Sequence, residues 1–215
     1  MAYYFPEGGK FFYSTTFAGA KTISAVTNAN PAVCTSTAHG YADGDIVLIS
    51  SGWDDVNDSV FKIDQLTADT FSLVDQDTSN TDFFPAGTGT GTAQLISGWT
   101  EIPQILTLEN SGGDVKYATV APLSKRNALN VPIGFNPETL TLNLGHDPAN
   151  ATYKAMLTLG RSLTKCAFKQ TIPGGGTTYG YGFMVTSERA KQSAGNANTV
   201  PVAISIQGRS ISYGT

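Results

Sequence analysis

Three stretches in the second half of the chain alternate apolar and polar residues with a period of two. Leu140, Leu142 and Leu144 share one face, with Thr139, Thr141 and Asn143 on the other. Tyr179, Tyr181, Phe183 and Val185 repeat the pattern, as do Val200, Val202, Ile204 and Ile206. Such alternation belongs to strands with one packed face and one open face. Residues 166–172 and 177–185, joined through Pro173-Gly174-Gly175-Gly176, predict a long hairpin. Gly180 and Gly182 fall on the face opposite Tyr179, Tyr181 and Phe183, where they either leave a smooth wall or ease strand twist. One segment changes period: Asp147 is a good N-cap, Pro148 suits the first helical position, and Tyr153, Met156 and Leu157 recur at helical spacing up to a stop at Gly160. One helix covers one face of a sheet, so most burial must be sheet on sheet. Residues 99–108 read as another strand, and 111–130 as a strand end followed by a long loop. A loop of that length is usually functional or disordered.

Short strands come earlier, at 22–27, 32–35, 46–49, 60–63 and 70–74, with the spacing of a small barrel. Charge sets this region apart. Residues 22–97 hold ten aspartates against one base, Lys62, a net of −9. The rest of the chain nets +5, which gives the overall −4. An acidic block within a basic host, leaving through the run Gly87-Thr88-Gly89-Thr90-Gly91-Thr92, points to an inserted module at 21–97. The host domain is then 1–20 joined to 98–215. Aspartates clustering in the turns of one continuous domain would be the alternative.

Composition narrows the function classes. Charged residues make up only 14% of the 215, which suits sheets and turns better than long solvated helices. No run of eighteen apolar residues exists, so no membrane-inserting segment is predicted, and the start lacks the basic-then-apolar pattern of a secretory signal. Cys34 and Cys166 stand far apart, as buried free thiols of a protein made in a reducing cytosol would. His39 and His146 lie in turns of different modules, with no ligand at metal spacing. The run Gly174-Gly175-Gly176-Thr177-Thr178 lacks the lysine of a phosphate loop and joins two strands. Asp54, Asp55 and Asp58, with Asp75 and Asp77, read as solvated acidic turns, since they lack calcium-loop spacing. No catalytic residue, metal ligand or cofactor is expected, and the chain reads as a non-enzyme.

Two resemblances sharpen this picture. Residues Thr37-Ala38-His39-Gly40-Tyr41-Ala42-Asp43-Gly44-Asp45, then Phe61-Lys62-Ile63 and Leu66-Thr67-Ala68-Asp69-Thr70-Phe71-Ser72-Leu73, form one set. They resemble a small β-barrel inserted in phage virion proteins, similar to the first catalytic-cysteine half-domain of ubiquitin-activating enzymes. The likeness is one of fold and implies no cysteine chemistry. In the host, the order is an N-terminal strand, Trp99-Thr100-Glu101-Ile102, the loop with Ser124-Lys125-Arg126, and Gly134-Phe135-Asn136-Pro137-Glu138-Thr139-Leu140. Then come the Pro-led helix, Ala167-Phe168-Lys169-Gln170-Thr171-Ile172 and the strands at 179–187 and 200–208. That order resembles the major tail tube protein of long, non-contractile (lambda-like, siphovirus) phage tails.

What this resemblance implies is a β-sandwich flanked by a helix, in a virion protein made in the host bacterial cytoplasm. Six copies close into a ring and rings stack into the tube through which DNA passes at ejection, without specific binding. Partners are then other copies of the chain and further tail proteins: tape measure, tail tip and terminator. The candidate hairpin of the inner barrel carries Phe168, Ile172, Tyr179, Tyr181, Phe183 and Val185. Lys116, Lys125 and Arg126 mark the loop expected to reach the neighbouring ring. Because each Lys–phosphate contact would act as a brake on DNA, the inner hairpin is expected to expose few bases, with Lys165, Lys169 and Arg189 directed elsewhere. A tube protein of a contractile injection system and a virion decoration or receptor-binding module are the alternatives.

Overall fold

In the computed structural model, which describes residues 7–124 and 126–214, the alternating segments pair antiparallel throughout. In chain order the strands are β1 (Lys10–Ser14), β2 (Thr16–Phe17), β3 (Lys21–Ile23), β4 (Ala25–Val26), β5 (Ala32–Thr35), β6 (Ile46–Ser51), β7 (Ser59–Thr67), β8 (Thr70–Leu73) and β9 (Gly91–Ser97). The second half adds β10 (Thr100–Glu101), β11 (Ile105–Ser111), β12 (Val115–Val120), β13 (Leu129–Phe135), β14 (Thr139–Gly145), helix α1 (Ala151–Ser162), β15 (Lys165–Ile172), β16 (Gly176–Thr186), β17 (Thr199–Ile206) and β18 (Ile211–Tyr213).

Three sheets result. The first runs β10-β1-β15-β16-β17-β14-β11, with β18 joined to β16. Its inward face carries the leucines and valines whose alternation the sequence showed: Leu142 opposes Val202, Leu144 opposes Val200, and all four are buried. Phe11, Phe168, Met184 and Ile204 complete this core, and α1 closes it with Tyr153 and Met156. The second sheet runs β2-β9-β6-β7-β8-β5-β4, with β3 on β9, around Ile49, Trp53, Phe61 and Phe71. The third is the two-stranded ribbon β12-β13. The fold is mainly β, consistent with the expected sandwich-type domain.

Several local expectations are corrected. The stretch 111–130 contains strand β12 and the start of β13, so the long loop shrinks to the connection between Val120 and Leu129. The helix begins after Asn150, whose side chain accepts the Thr152 and Tyr153 N–H groups. Asp147 instead accepts the Ala149 N–H, which holds Pro148 in a turn ahead of the helix. Gly160 does not end the helix. A Cβ there would lie 3.2 Å from the Val185 Cα, so the glycine lets α1 approach β16. Leu163, left-handed at φ 49, ends the helix.

Gly182 and Gly180 form no open wall. They face inward, and a Cβ on Gly182 would lie 2.0 Å from the Ser205 carbonyl oxygen. The Gly-Thr run ends in a strand, β9, because the backbone must pass close by: a Cβ on Gly91 would fall 1.9 Å from the Ser50 oxygen. Strand β2 pairs with β9, so the second sheet takes in Thr16 and Phe17, ahead of the charge boundary.

Candidate assembly surfaces

The β12-β13 ribbon projects from Gly112 and Gly113, both at positive φ, with its root held by Gly113 N–H to Asn136 O and Asn136 N–H to Asp114 O. A bulge between Lys116 and Tyr117 makes Ile133 the extra residue and changes which β13 side chains share a face. Val115, Tyr117, Pro132 and Phe135 therefore lie on one side. Ala118, Val120, Leu129 and Val131 lie with Lys116 on the other. Both faces are apolar and both are open: Phe135 is 75% exposed, and Leu123 at the turn is fully exposed. A lone two-stranded ribbon is marginal in water, and an apolar patch of this kind marks an interaction site. Of the bases expected here, Lys116 sits on strand β12 and Arg126 in the exposed turn, while Lys125 lies outside the described residues. Sequence reasoning missed the apolar residues. The alternation Leu129, Val131, Ile133, Phe135 was the available signal, obscured by Pro132 and Gly134 between them.

The predicted hairpin forms with Lys169 opposite Tyr179 and Ala167 opposite Tyr181. The structure does not bring its six named residues to one surface. Phe168 is buried in the first core, Ile172 lies near the turn, and Val185 is 46% exposed. Tyr179 and Tyr181 are half-buried against Leu48, Val60 and Ile96 of the acidic module. Phe17 meets Tyr181 edge-on at 5.9 Å, and Tyr179 packs near both Trp99 and Tyr213. Phe183 is half-buried beside Lys165, whose Nζ lies 5.4 Å from the Tyr181 ring centre and 5.8 Å from that of Phe183. Lys169 lies 4.6 Å from the Phe12 ring centre and 5.2 Å from that of Trp99, and burial lowers its pKa. These two lysines share the face that the module adjoins, whereas Arg189 is in the connection after β16.

Polar bonds fix the module along the same seam. The Lys62 N–H donates to Tyr213 Oη at 2.9 Å, and the Arg209 N–H donates to Ser59 Oγ at 3.1 Å. The Arg209 guanidinium reaches Gln76, and Lys165 pairs with Asp58 at 3.1 Å. His39, buried in the module, accepts the Tyr41 N–H at Nδ1 and lies 3.1 Å from Thr67 O through Nε2. Asp77 is engaged by the Ser79 N–H and by Asn30.

Burial pushes the Tyr213 and Tyr41 hydroxyls up to about 12, and the Cys34 and Cys166 thiols likewise. In the unfolded chain these groups release their protons nearer 10 for tyrosine and 9 for cysteine. Their stabilising contribution is therefore complete below about pH 9 and is lost as pH rises through 9 to 12. Thermal melts should hold steady between pH 7 and 9 and fall steeply above pH 10. A flat profile to pH 11.5 would contradict this burial.

Two further surfaces complete the inventory. The outer face of β11, β14 and β17 has three rungs: Thr107-Asn143-Pro201, Glu109-Thr141-Ala203 and Ser111-Thr139-Ser205. Glu109 is the one charged side chain among them. Around the other side, a cavity of about 200 Å³ opens between β1 and β11. Phe11, Ile105, Leu106, Leu108, Gln170 and Ile172 line it. Among the described residues, no three metal-ligating side chains come together.

Residues 51–215 match the family model described as phage tail tube protein. The match begins inside β6, so it spans part of the acidic module as well as the host strands. A search of curated proteins for relatives finds no match.

Proposed function

The chain belongs to the phage tail tube protein family, a structural component of the virion tail that assembles with other tail proteins, and from that premise we propose how it builds the tube. Copies close into hexameric rings, and the rings stack into the conduit for DNA ejection of a long, non-contractile tail. Tape measure, tail tip and terminator proteins are its further partners. The observation that carries this reading is the β12-β13 ribbon. It presents apolar side chains on both faces, more than a free monomer would leave in water. A ribbon apolar on both sides needs partners on both sides, which a contact between stacked rings supplies. Lys116, Lys125 and Arg126 belong to this contact.

The lumen wall in this reading is the outer face of β11, β14 and β17, bordered by Val185 of the hairpin. Its threonines, serines and asparagine offer no cation to a passing phosphate backbone, and Glu109 repels it. The aromatic face of β15-β16 belongs to the outer wall, because the acidic module lies against it. This reading moves the inner surface from the hairpin's aromatic residues to the neighbouring strands.

Negative-stain electron microscopy of the purified chain, concentrated at neutral pH, tests the proposal. Hollow tubes or six-fold rings are expected. Monodisperse monomers at every concentration, or monomers that bind host cells or glycans, would replace it with a decoration or receptor-binding role. A sheath-bearing contracted tail in the parent virion would point to the contractile machine.

A further inference from the structure

We infer that the slot between β1 and β11 receives the tip of the β12-β13 arm from a second copy of this chain. The inference rests on the tube reading and names the receiving surface for its ring-to-ring contact. Strand β11 connects the two features directly. Its first half, Ile105 to Leu108, forms one side of the slot, and its end at Ser111 leads through Gly112 and Gly113 into the arm. Slot and arm root thus lie at opposite ends of one strand, roughly 20 Å apart at the usual rise per residue. The arm's six paired positions reach about as far again. A neighbour displaced along β11 would therefore bring one copy's slot within reach of the other's arm.

The chemistry of the two surfaces agrees. The slot has an apolar floor of Phe11, Ile105, Leu108 and Ile172 beside Leu106, which is 57% exposed. The β11 edge away from β14 pairs with no described strand, leaving backbone donors and acceptors for an incoming chain. Leu123, Val120 and Leu129 at the arm's end supply apolar groups of matching kind. Lys10, which also lines the slot, is held by Glu101 at 3.1 Å and so does not stand as an unpaired cation against the arm's Lys116 and Arg126. Because arm and slot are different patches, the contact is head-to-tail, and such contacts propagate instead of closing as a pair.

Cross-linking decides it. A chain with Leu106→Cys and a chain with Leu123→Cys are each mixed as a minority into wild-type protein, so that the wild type drives assembly. Sedimented tubes are then treated with a short bis-maleimide. The native Cys34 and Cys166 are buried and give no background. The expected product is a covalent dimer containing one of each labelled chain, found in tubes and missing from unassembled protein. Ser124→Cys, next to Leu123, serves if the Leu123→Cys chain is left out of the tubes. Tubes that contain both labels without this dimer, or an arm that links instead to Thr141→Cys on the polar face, overturn the inference while leaving the tube intact. Wild-type protein that forms no tubes overturns the reading beneath it.

Discussion

Aspartate in place of both Leu129 and Val131 is expected to abolish tube formation while leaving the melting temperature of the protomer nearly unchanged. Both residues lie on one face of the arm, beside Val120 and Ala118, and each is 44% exposed. Surface replacements away from packed contacts usually change stability by less than about 0.5 kcal/mol. Inside an assembled contact the same carboxylates would be taken out of water with no partner in place, at a cost of several kcal/mol per charge. Repeated at every ring, that penalty stops growth. Sedimentation and electron microscopy read the assembly, and a thermal melt reads the protomer. Normal tubes from the double variant would show that the arm's apolar face is not an interface. A large drop in melting temperature would show that the arm is folded onto its own protomer.

The second large effect concerns the acidic module. Removing residues 22–97 and bridging the gap with a flexible linker should yield aggregated protein, with no tube and no soluble ring. A freely attached decoration would be dispensable, but this module covers the aromatic face of β15-β16. Its loss uncovers Ala167, Tyr179, Tyr181 and Trp99 together and removes the partners of Tyr213, Arg209 and Lys165. It also takes β9 away from β2. An exposed apolar sheet face of that kind promotes association without order. Size-exclusion chromatography of the shortened chain measures the outcome. A soluble, monodisperse product that still forms tubes would return the module to the role of a surface ornament.

How far the sequence revealed this molecule depended on what alternation can encode. Leu140, Leu142 and Leu144 were legible as a packed face because their opposite neighbours are threonines and an asparagine, which leaves no choice of side. At 179–185 the same period was legible but its sense was not. Glycine fits a tight interior as well as an open wall, and the Ser205 and Ile206 backbone settles the matter by passing against Gly182. The arm was hidden for a different reason. Pro132 and Gly134 weaken strand propensity, and the bulge at Ile133 sends Val131 and Phe135 to opposite faces, so no single stripe runs along β13. Reading that segment as a loop drew notice to Lys116, Lys125 and Arg126 and away from the apolar residues around them. The seam was beyond reach because Phe17, Ile96 and Tyr181 meet only after both sheets have formed.

The bond from Lys62 to Tyr213 spans 151 positions of the chain. During translation, therefore, the acidic module leaves the ribosome long before the strand that clamps it. Until Ile211 to Tyr213 emerge and pair with β16, a nascent protomer lacks the clasp that sets its final shape. The module can close around its own strands first, but its seat against the host sheet is complete only once β18 has paired with β16.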